Sequence, residues 1–280
     1  MAWTSTDSVD EFLAAAGGFL AAHPAENTVL LTVTERLVQA GPVTFGNEPA
    51  AFGWWREHDG DPVSGAFLVT PPYPLRLSLM PDHAAAELGA EPGLSPSSVA
   101  GQCPTVDAFT EAWTSATGGT TRVQLRERQY RLAELAAPTD TPGGSRRAGA
   151  DDRPLILAWF DAFYSELGGT LGDLAGAVDS RLVAGAVHLW ENEGEPTSLA
   201  GTSPVVAGMA RIGPVYTPSE LRGHGYASAV TAAASADALA RGADQVLLYT
   251  DLANPISNSI YQKIGYRPIG DEVIVDLERP

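Results

Sequence analysis

The sequence predicts an α/β protein, of mixed α+β type, built from two similar halves, each a mostly antiparallel, mixed, twisted sheet flanked by helices. Hydrophobic spacing switches repeatedly between the helical period of 3.6 residues and short β-like runs. The second half has the order helix, three strands, helix, strand, helix, strand, and the first half shows a blurred version of it. Residues 136–154 have no periodicity and are rich in Pro and Gly. We therefore expect domains over 1–135 and 155–280, joined by a linker or crossing segment over 136–154.

Composition excludes several classes of function. The 280 residues are 44% hydrophobic and carry a net charge of −17, which argues against binding a nucleic-acid backbone. No apolar run approaches the ~20 residues of a membrane span, and we expect no signal peptide because residues 1–7 carry no basic region ahead of an apolar one. Cys103 is the only cysteine, which excludes an internal disulfide and fits a cytoplasmic protein. The scattered histidines give no zinc spacing, so we expect no metal site.

The first half follows from hydrophobic periods and turn residues. Helical spacing covers residues 9–22 and 26–40, and β-like runs follow at 51–57, 63–70 and 75–79. A short helix to Leu88, a strand at 98–100, a helix over 105–117 and a long strand over 120–135 complete this half.

In the second half, a helix over 155–167 precedes a glycine-rich loop over 168–176. A strand over 181–190 and its return run 197–201 form a hairpin, and a strand over 205–216 follows. A helix over 226–241 and a buried strand over 245–250 come next.

A last helix is predicted from residue 255 to residue 264, capped by Asn254 and ended by Gly265. Its Ile256, Ile260 and Ile264 are spaced to face the core. Asn254, Asn258 and Tyr261 share a different face, which indicates a ligand surface. Spacing alone is equally consistent with a half-buried helix tyrosine at Tyr261.

The segment Arg222-Gly223-His224-Gly225-Tyr226-Ala227 lies between the predicted strand 205–216 and the helix over 226–241. Glycines in such a turn allow the backbone to approach a ligand closely. The unpaired N–H groups lie at the positive end of the helix dipole, an arrangement that binds phosphate. The turn by itself does not distinguish coenzyme A from a dinucleotide.

Two motifs, taken together, resemble one protein family more specifically than either does alone. The glycine-rich turn matches the Arg/Gln-x-x-Gly-x-Gly/Ala signature of the GCN5-related N-acetyltransferases, the GNAT superfamily. The segment from Asn254 to Tyr266 is similar to their closing Asn…Tyr-x-x-x-Gly-Phe/Tyr segment. The resemblance covers about residues 153–280. For the first half it rests on element order, as in tandem members whose first domain is degenerate.

The resemblance implies an N-acetyltransferase that uses acetyl-CoA as co-substrate. The amine of a small molecule or peptide would attack the thioester directly, and the protein would be a monomer or a homodimer. Tyr261 occupies the family position of the acid that protonates the departing thiolate, and an unperturbed tyrosine stays protonated at neutral pH. Backbone N–H near Val215 would stabilise the oxyanion.

The resemblance also implies the residues that bind acetyl-CoA. Backbone groups of Ile212, Val215 and Thr217 would pair with the pantetheine arm where the strand splays from its neighbour, and Pro214 fits such an interruption. The remaining expected contacts are Arg222, Gly223, His224, Gly225, Tyr226, Ala227, Asn254 and Asn258.

The general base is left open by the sequence. The candidates are Glu191, Glu193, Glu195, Glu220, Asp251, His188 and His224. Trp190 and Tyr216 are candidates to line the amine pocket, although core packing explains both equally well.

Two other functions compete with acetyl transfer. A dinucleotide-binding oxidoreductase would explain a strand, Gly223-His224-Gly225, a helix, a strand and then Asp251. Against it, Ser228 stands at the third glycine position, and a predicted antiparallel hairpin precedes the turn. A non-catalytic protein that binds acyl-CoA is the other alternative. The first half has no such turn, since Leu88-Gly89-Ala90-Glu91-Pro92-Gly93 lacks the basic residue, and we expect it not to bind CoA.

Overall fold

The structure, a computed structural model, describes residues 2–41, 48–168 and 172–280. The chain forms two compact units. The first contains residues 1–129, 251–253 and 270–280, and the second contains residues 130–250 and 254–269. The C-terminal eleven-residue segment 270–280 therefore lies in the first unit, whereas the sequence analysis placed it in the second domain.

The first unit has helices packed on a mixed sheet. Its elements are β1 (Ala2–Thr6), α1 (Val9–Ala22), α2 (Thr28–Ala40), β2 (Ala51–Arg56), β3 (Gly65–Val69), β4 (Leu75–Leu77), α3 (Asp82–Gly89), β5 (Ser98–Gln102), α4 (Cys103–Thr117) and β6 (Thr120–Leu132). Strand β12 (Tyr266–Glu278) enters this unit at Gly270.

Strand order in the first unit is β1-β2-β3-β4-β5-β12-β6. The β4–β5 pair is parallel, whereas β5 and β12 run antiparallel, with Val273 opposite Gly101. Phe109 and Trp113 of α4 pack on β12 through Val273 and Val275, and all four are buried. The last strand thus supplies part of this unit's core.

The second unit also has a mixed sheet between helices. Its elements are β7 (Gly144–Arg147), α5 (Arg153–Glu166), α6 (Leu174–Val183), β8 (Val187–Asn192), β9 (Glu195–Thr202), β10 (Met209–Tyr216), α7 (Tyr226–Ala240), β11 (Gln245–Asp251) and α8 (Pro255–Lys263). The strand order is β11-β10-β9-β8-β7, with a parallel β10–β11 pair and antiparallel pairs from β10 to β7.

Alternate residues of β9 face opposite layers of the second unit, as the two-residue period of a strand requires. Ala200 packs in a cluster with Val230 of α7 and Tyr261 of α8. Leu199 packs in a second cluster with Ile156 and Phe160 of α5. Helices α7 and α8 therefore cover one face and α5 the other.

Several features differ from the sequence expectations. Residues 181–183 close helix α6, so the strand expected over 181–190 begins only at Val187. The short apolar run Leu182-Val183-Ala184 fits a helix as well as a strand, and Val183 is 92% exposed in the helix. Of the expected loop 168–176, residues 169–171 lie outside the described residues, and the remainder runs into α6 at Leu174.

The segment expected to be a linker or crossing segment contains the edge strand β7, with Arg147 opposite His188. Both arginines of this strand are ion-paired. Arg146 contacts Asp152 and Glu191, each at 2.6 Å, and Arg147 contacts Asp237. Strand β1 was not expected, because its five residues alternate without a strong apolar pattern.

No helix within the described ranges has both the length and the apolar character required to cross a bilayer.

Candidate acyl-CoA site

Strands β10 and β11 pair over only part of their length. The parallel register runs from Met209 opposite Gln245 to Ile212 opposite Leu248 and then stops. On the other side of β10, the register with β9 shifts between Ile212 and Val215, which marks a bulge. Pro214 sits in the bulge and has no N–H to donate. The half of β10 after Ile212 therefore lacks β11 as a ladder partner, leaving a strand edge that an extended ligand can pair with.

The glycine-rich turn lies between this open edge and helix α7. Gly223 and Gly225 have φ of 86° and 85°, left-handed values that glycine adopts readily. Gly225 is the N-cap of the fifteen-residue helix α7. The first N–H groups of such a helix have no partner within it, so they can bind an anion. A Cβ added to Gly225 would lie 2.9 Å from the Thr141 hydroxyl oxygen, so the segment before β7 packs against this turn.

Arg222 is held by other protein groups. One of its terminal nitrogens, Nη2, lies 2.7 and 2.8 Å from the two carboxylate oxygens of Glu166 at the end of α5. Its Nε donates to the backbone carbonyl of Thr217 at 2.9 Å, and the guanidinium lies 5.9 Å from the centre of the Tyr216 ring. Arg222 thus ties the turn to the end of β10 and to α5.

His224 and Tyr226 of the turn also have defined contacts. The His224 Nδ1 lies 3.2 Å from the Leu221 carbonyl, and its ring stacks on Tyr226 at 5.6 Å. The Tyr226 hydroxyl accepts a 3.3 Å hydrogen bond from Asn192 on β8. Ala227, partly buried, lies in the first turn of α7. His224 therefore contacts the backbone of its own turn.

The end of β10 is fixed by hydroxyl groups. Ser198 of β9 donates to the Tyr216 carbonyl at 2.9 Å, and its oxygen lies 2.8 Å from that of Thr217. Ile212 is buried in the α7 layer, and Val215 packs against the same cluster. These contacts hold the strand edge in place up to the glycine-rich turn.

Helix α8 begins at the expected residue, but the side of the helix that is buried differs from the prediction. The Asn254 side chain accepts from the Ser257 N–H at 3.0 Å, the predicted cap. Asn258 donates to the Asn254 carbonyl at 2.7 Å and accepts from the Tyr130 hydroxyl at 2.9 Å. Ile256 is 71% exposed, so its predicted place in the core is wrong, whereas Ile264 is buried as predicted.

Tyr261 lies in the α7–α8 core rather than on a surface shared with the two asparagines. Its ring meets Tyr266 edge-on at 6.2 Å. Burial raises the pKa of its hydroxyl to about 12. No described residue forms a hydrogen bond with this hydroxyl, whereas the Tyr266 hydroxyl is 2.7 Å from Ser235. Tyr261 is thus a protonated phenol across the full physiological pH range.

The candidate bases are scattered. Glu191 pairs with Arg146, and Asp251 accepts from the Ala253 N–H at 2.8 Å. Glu193 is a turn residue with φ of 55°, and Glu195 is exposed. His188 is 4% exposed, and burial lowers its pKa, opposed by Asp237 at 3.4 Å.

Two carboxylates lie beside the open end of β10. Burial, followed by the charge of Glu166, raises the pKa of Tyr216, and Glu220 adds to the effect. Trp159 of α5 lies 6.1 Å from the Tyr216 ring. Trp190 instead donates to the Pro142 carbonyl at 2.8 Å. The sequence analysis missed Glu166 and Trp159, because no local motif links α5 to β10.

Comparisons with known proteins agree with this geometry. Residues 193–275 match the family model described as FR47-like protein, a match that covers less than half of the chain. No curated protein matches this chain in sequence.

Solved structures match the whole chain. A GCN5-related N-acetyltransferase from Sphaerobacter thermophilus has a TM-score of 0.67 at 15% identity, over 99% of this chain and 96% of that one. A GNAT-family acetyltransferase from Colwellia psychrerythraea gives 0.61 at 13% identity, over 100% of both chains. A Drosophila protein gives 0.68 at 15% identity, over 98% of both.

The chain therefore has the fold of the GCN5-related N-acetyltransferases. The predicted resemblance to that superfamily and the predicted fold class are confirmed. At this level of identity the structural matches establish the fold alone.

Proposed function

We propose that this protein transfers the acetyl group of acetyl-CoA to an amine of a small molecule or peptide. The observation that carries the proposal is the parting of β10 from β11 after Ile212, next to a glycine-rich turn at the start of α7. An acyl-CoA has the matching shape, a chain of amides that ends in a pyrophosphate. The neutral amine attacks the thioester carbonyl, the C–N bond forms as the C–S bond breaks, and the proton that the amine loses balances the one that the departing thiolate gains. The protein supplies binding, orientation and a proton donor.

The binding residues fit such a ligand. Gly223 and Gly225 leave the N–H groups at the start of α7 accessible to a phosphate, since the nearest atoms to an added Cβ at Gly223 lie beyond 4 Å. The edge of β10 from Gly213 to Tyr216 offers backbone donors and acceptors to amides. Arg222 acts by bracing the turn through Glu166, rather than by binding phosphate through its own side chain.

We propose that Tyr261 donates the proton that a departing thiolate needs. A buried phenol whose pKa is about 12 is fully protonated near neutral pH. The hydroxyls of Tyr130 and Tyr266 form hydrogen bonds with other side chains, whereas the Tyr261 hydroxyl forms none with the described residues. General acids of this kind typically contribute 10²–10⁴-fold, roughly, to a rate.

The amine class of acceptor is supported by the charge beside the reacting end of β10. Glu166 and Glu220 both raise the pKa of Tyr216, the direction expected of a negative potential, while Arg222, which pairs with Glu166, opposes them. A negative potential attracts a protonated amine and raises its local concentration. Trp159 and Tyr216 add aromatic faces, which bind cations and apolar groups alike.

We propose further that the first unit does not bind CoA and that the chain is a tandem protein with one active domain. Its helix α3, which follows the parallel strand β4, begins with Pro81 and Asp82 in place of a glycine-rich turn. A carboxylate at a helix N-terminus competes with a phosphate for the same N–H groups. Strands β4 and β5 also stay close, since a Cβ added to Gly101 would lie 3.2 Å from the Leu77 carbonyl.

Isothermal titration of the full chain with CoA, together with a thiol-release assay using acetyl-CoA and an amine panel, tests the proposal. The panel contains aminoglycosides, polyamines, amino acids and peptides. One CoA per chain and amine-dependent thiol release are expected. Binding without release for any amine would favour a non-catalytic acyl-CoA protein, and two CoA per chain would refute the assignment of the first unit. Tight binding of a nicotinamide dinucleotide in place of CoA would favour an oxidoreductase.

A further inference from the structure

Helix α8 is short and buries little of its own surface. It spans nine residues, Pro255–Lys263, and Tyr261 is the one buried residue within it. Isolated helices shorter than about 12–15 residues are marginally stable in water. The position of Tyr261 therefore depends on the groups that hold α8 to the rest of the second unit.

A chain of side-chain hydrogen bonds runs along one face of α8. The Gln262 Nε2 donates to the Tyr130 hydroxyl at 3.0 Å, and that hydroxyl donates to the Asn258 Oδ1 at 2.9 Å. Asn258 in turn donates through its Nδ2 to the Asn254 carbonyl at 2.7 Å. Asn258 and Gln262 are four residues apart, so they share a face of the helix. The Tyr130 hydroxyl thus bridges two successive turns of α8, as donor to one and acceptor from the other.

The ring of Tyr130 is fully buried. It is 0% exposed and packs in the cluster that also contains Tyr261 and Ile264. The hydroxyl of a buried ring has little freedom of position, and hydrogen bonds in such surroundings are stronger than in water. The Tyr130 bridge is therefore a rigid support for α8, and it belongs to the same core as the Tyr261 ring.

Residues 130–136 also hold the end of α8. The Ala133 N–H donates to the Gly265 carbonyl, and the Ala136 N–H donates to the Ile264 carbonyl, each at 3.1 Å. Carbonyls at the end of a helix have no partner within it, so such donors must come from elsewhere. This segment lies in the second unit, whereas the sequence analysis placed residues up to 135 in the first domain. The support of α8 thus comes from a part of the chain that precedes the expected linker.

We propose that Tyr130 is a positioning residue for acetyl transfer. Through Asn258 and Gln262 its hydroxyl fixes α8 and so places the Tyr261 hydroxyl for proton transfer. This role rests on the proposed function, in which Tyr261 donates a proton to the departing thiolate. A displacement of about 1 Å in a reacting group can slow a reaction about 100-fold.

Acetyl transfer is measured for the unmodified chain, Tyr130→Phe, Tyr261→Phe and the double variant, with the amine of the panel that gives the fastest thiol release. Tyr130→Phe keeps the ring and removes the bridge, so kcat should fall about tenfold. CoA affinity by titration and KM for acetyl-CoA should be unchanged, since the binding groups lie on β10 and α7. Because Tyr130 acts through Tyr261, the double variant should be no slower than Tyr261→Phe.

Tyr266→Phe is the matched control. It also removes a bonded hydroxyl from a buried tyrosine, but that hydroxyl lies 2.7 Å from Ser235 of α7. Its kcat should be unchanged. Hydrogen exchange gives a second measurement. The backbone amides of residues 259–264 should exchange faster in Tyr130→Phe, because the helix is held less firmly, and should keep their rates in Tyr266→Phe.

Gln262→Met tests the same bridge if Tyr130→Phe fails to fold. Gln262 is exposed, so its replacement leaves the core intact, but the donor to the Tyr130 hydroxyl is lost. We expect kcat to fall about threefold, with CoA affinity unchanged. An unchanged kcat in this variant would contradict the bridge.

The role of Tyr130 is refuted if Tyr261→Phe slows transfer while Tyr130→Phe keeps the full rate. It is also refuted if the losses of the two single variants add in the double variant, or if Tyr130→Phe and Tyr266→Phe slow transfer equally. A full rate in Tyr261→Phe would instead refute the proposed acid, and the role of Tyr130 would fail with it. If no amine gives thiol release, the proposed function fails. Faster exchange along α8 in Tyr130→Phe would then still show that the bridge holds the helix, and unchanged exchange would refute the bridge as well.

Discussion

Replacing Tyr261 by Phe tests the proposed mechanism most directly. The side chain stays the same size, and the hydroxyl that is lost has no hydrogen-bond partner among the described residues. We therefore expect the unfolding free energy at neutral pH to change by less than about 0.5 kcal/mol. CoA affinity should also be kept, since its binding groups lie on β10 and α7. Acetyl transfer should slow by about 100-fold or more, since the general acid is lost.

Tyr266→Phe is the matched control. Tyr266 is fully buried nearby, and its hydroxyl forms a 2.7 Å hydrogen bond with Ser235. Removing that bond should cost about 1–2 kcal/mol of stability and leave the transfer rate unchanged. The two variants should therefore have opposite effects. Tyr261→Phe loses activity and keeps stability, whereas Tyr266→Phe loses stability and keeps activity. Equal transfer rates in Tyr261→Phe and the unmodified protein would refute the role of Tyr261 as the acid.

The same phenol gives a prediction about alkaline stability. Its pKa is raised from 10.0 to about 12 on folding, so its contribution is fully present below about pH 10 and is lost as pH rises toward 12. The two pKa values imply a loss of about 1.4 kcal/mol at about pH 11. Tyr261→Phe should escape that loss. Urea unfolding at about pH 8 and about pH 11 measures the difference, and an identical loss in both proteins would contradict the burial argument.

Three further variants and conditions test the site. Arg222→Ala should weaken CoA about tenfold by titration, because the turn loses its brace to Glu166; unchanged affinity would show that the brace is dispensable. Gly225→Ala should cost about 1–2 kcal/mol of stability in urea and also weaken CoA, whereas Gly242→Ala, with φ of 92° at the far end of α7, should cost similar stability and leave CoA affinity intact. If the turn does not bind CoA, titration should give the same CoA affinity for Gly225→Ala and Gly242→Ala. His188, whose pKa burial lowers, contributes stability at neutral pH that is lost as pH falls below about 6.5; thermal unfolding between about pH 7.5 and pH 5 should show it, and a flat profile would contradict it.

Local signals predicted most of the second unit correctly. Asn254 followed by Pro255 begins α8, because a side-chain cap and a proline at the first helical position act within one turn. The glycine-rich turn lies at the predicted residues, and Gly223 and Gly225 have a left-handed backbone there. These features depend on neighbours in sequence, so the sequence was sufficient to locate them.

Features that depend on distant partners were not predicted. Spacing of four residues groups Ile256 with Ile264 but does not say which side of α8 is buried, and the core lies on the side of Tyr261 and Ile264. The strand at Arg146 and Arg147 exists because β8 pairs with it and acidic groups neutralise it. Nothing near Thr141 in the sequence indicates that it lies beside Gly225.

The position of the last strand has a consequence for biosynthesis. Residues 270–280 belong to the first unit, where β12 pairs with β5 and supplies Val273, Val275 and Leu277 to the core. These residues follow the second unit in the sequence, so the first unit cannot complete its sheet until the second unit has been synthesised. Until then β5 presents an unpaired edge, which is a template for pairing with another chain. Truncation just before Gly270 should therefore damage the N-terminal unit, even though the cut is at the opposite end of the sequence.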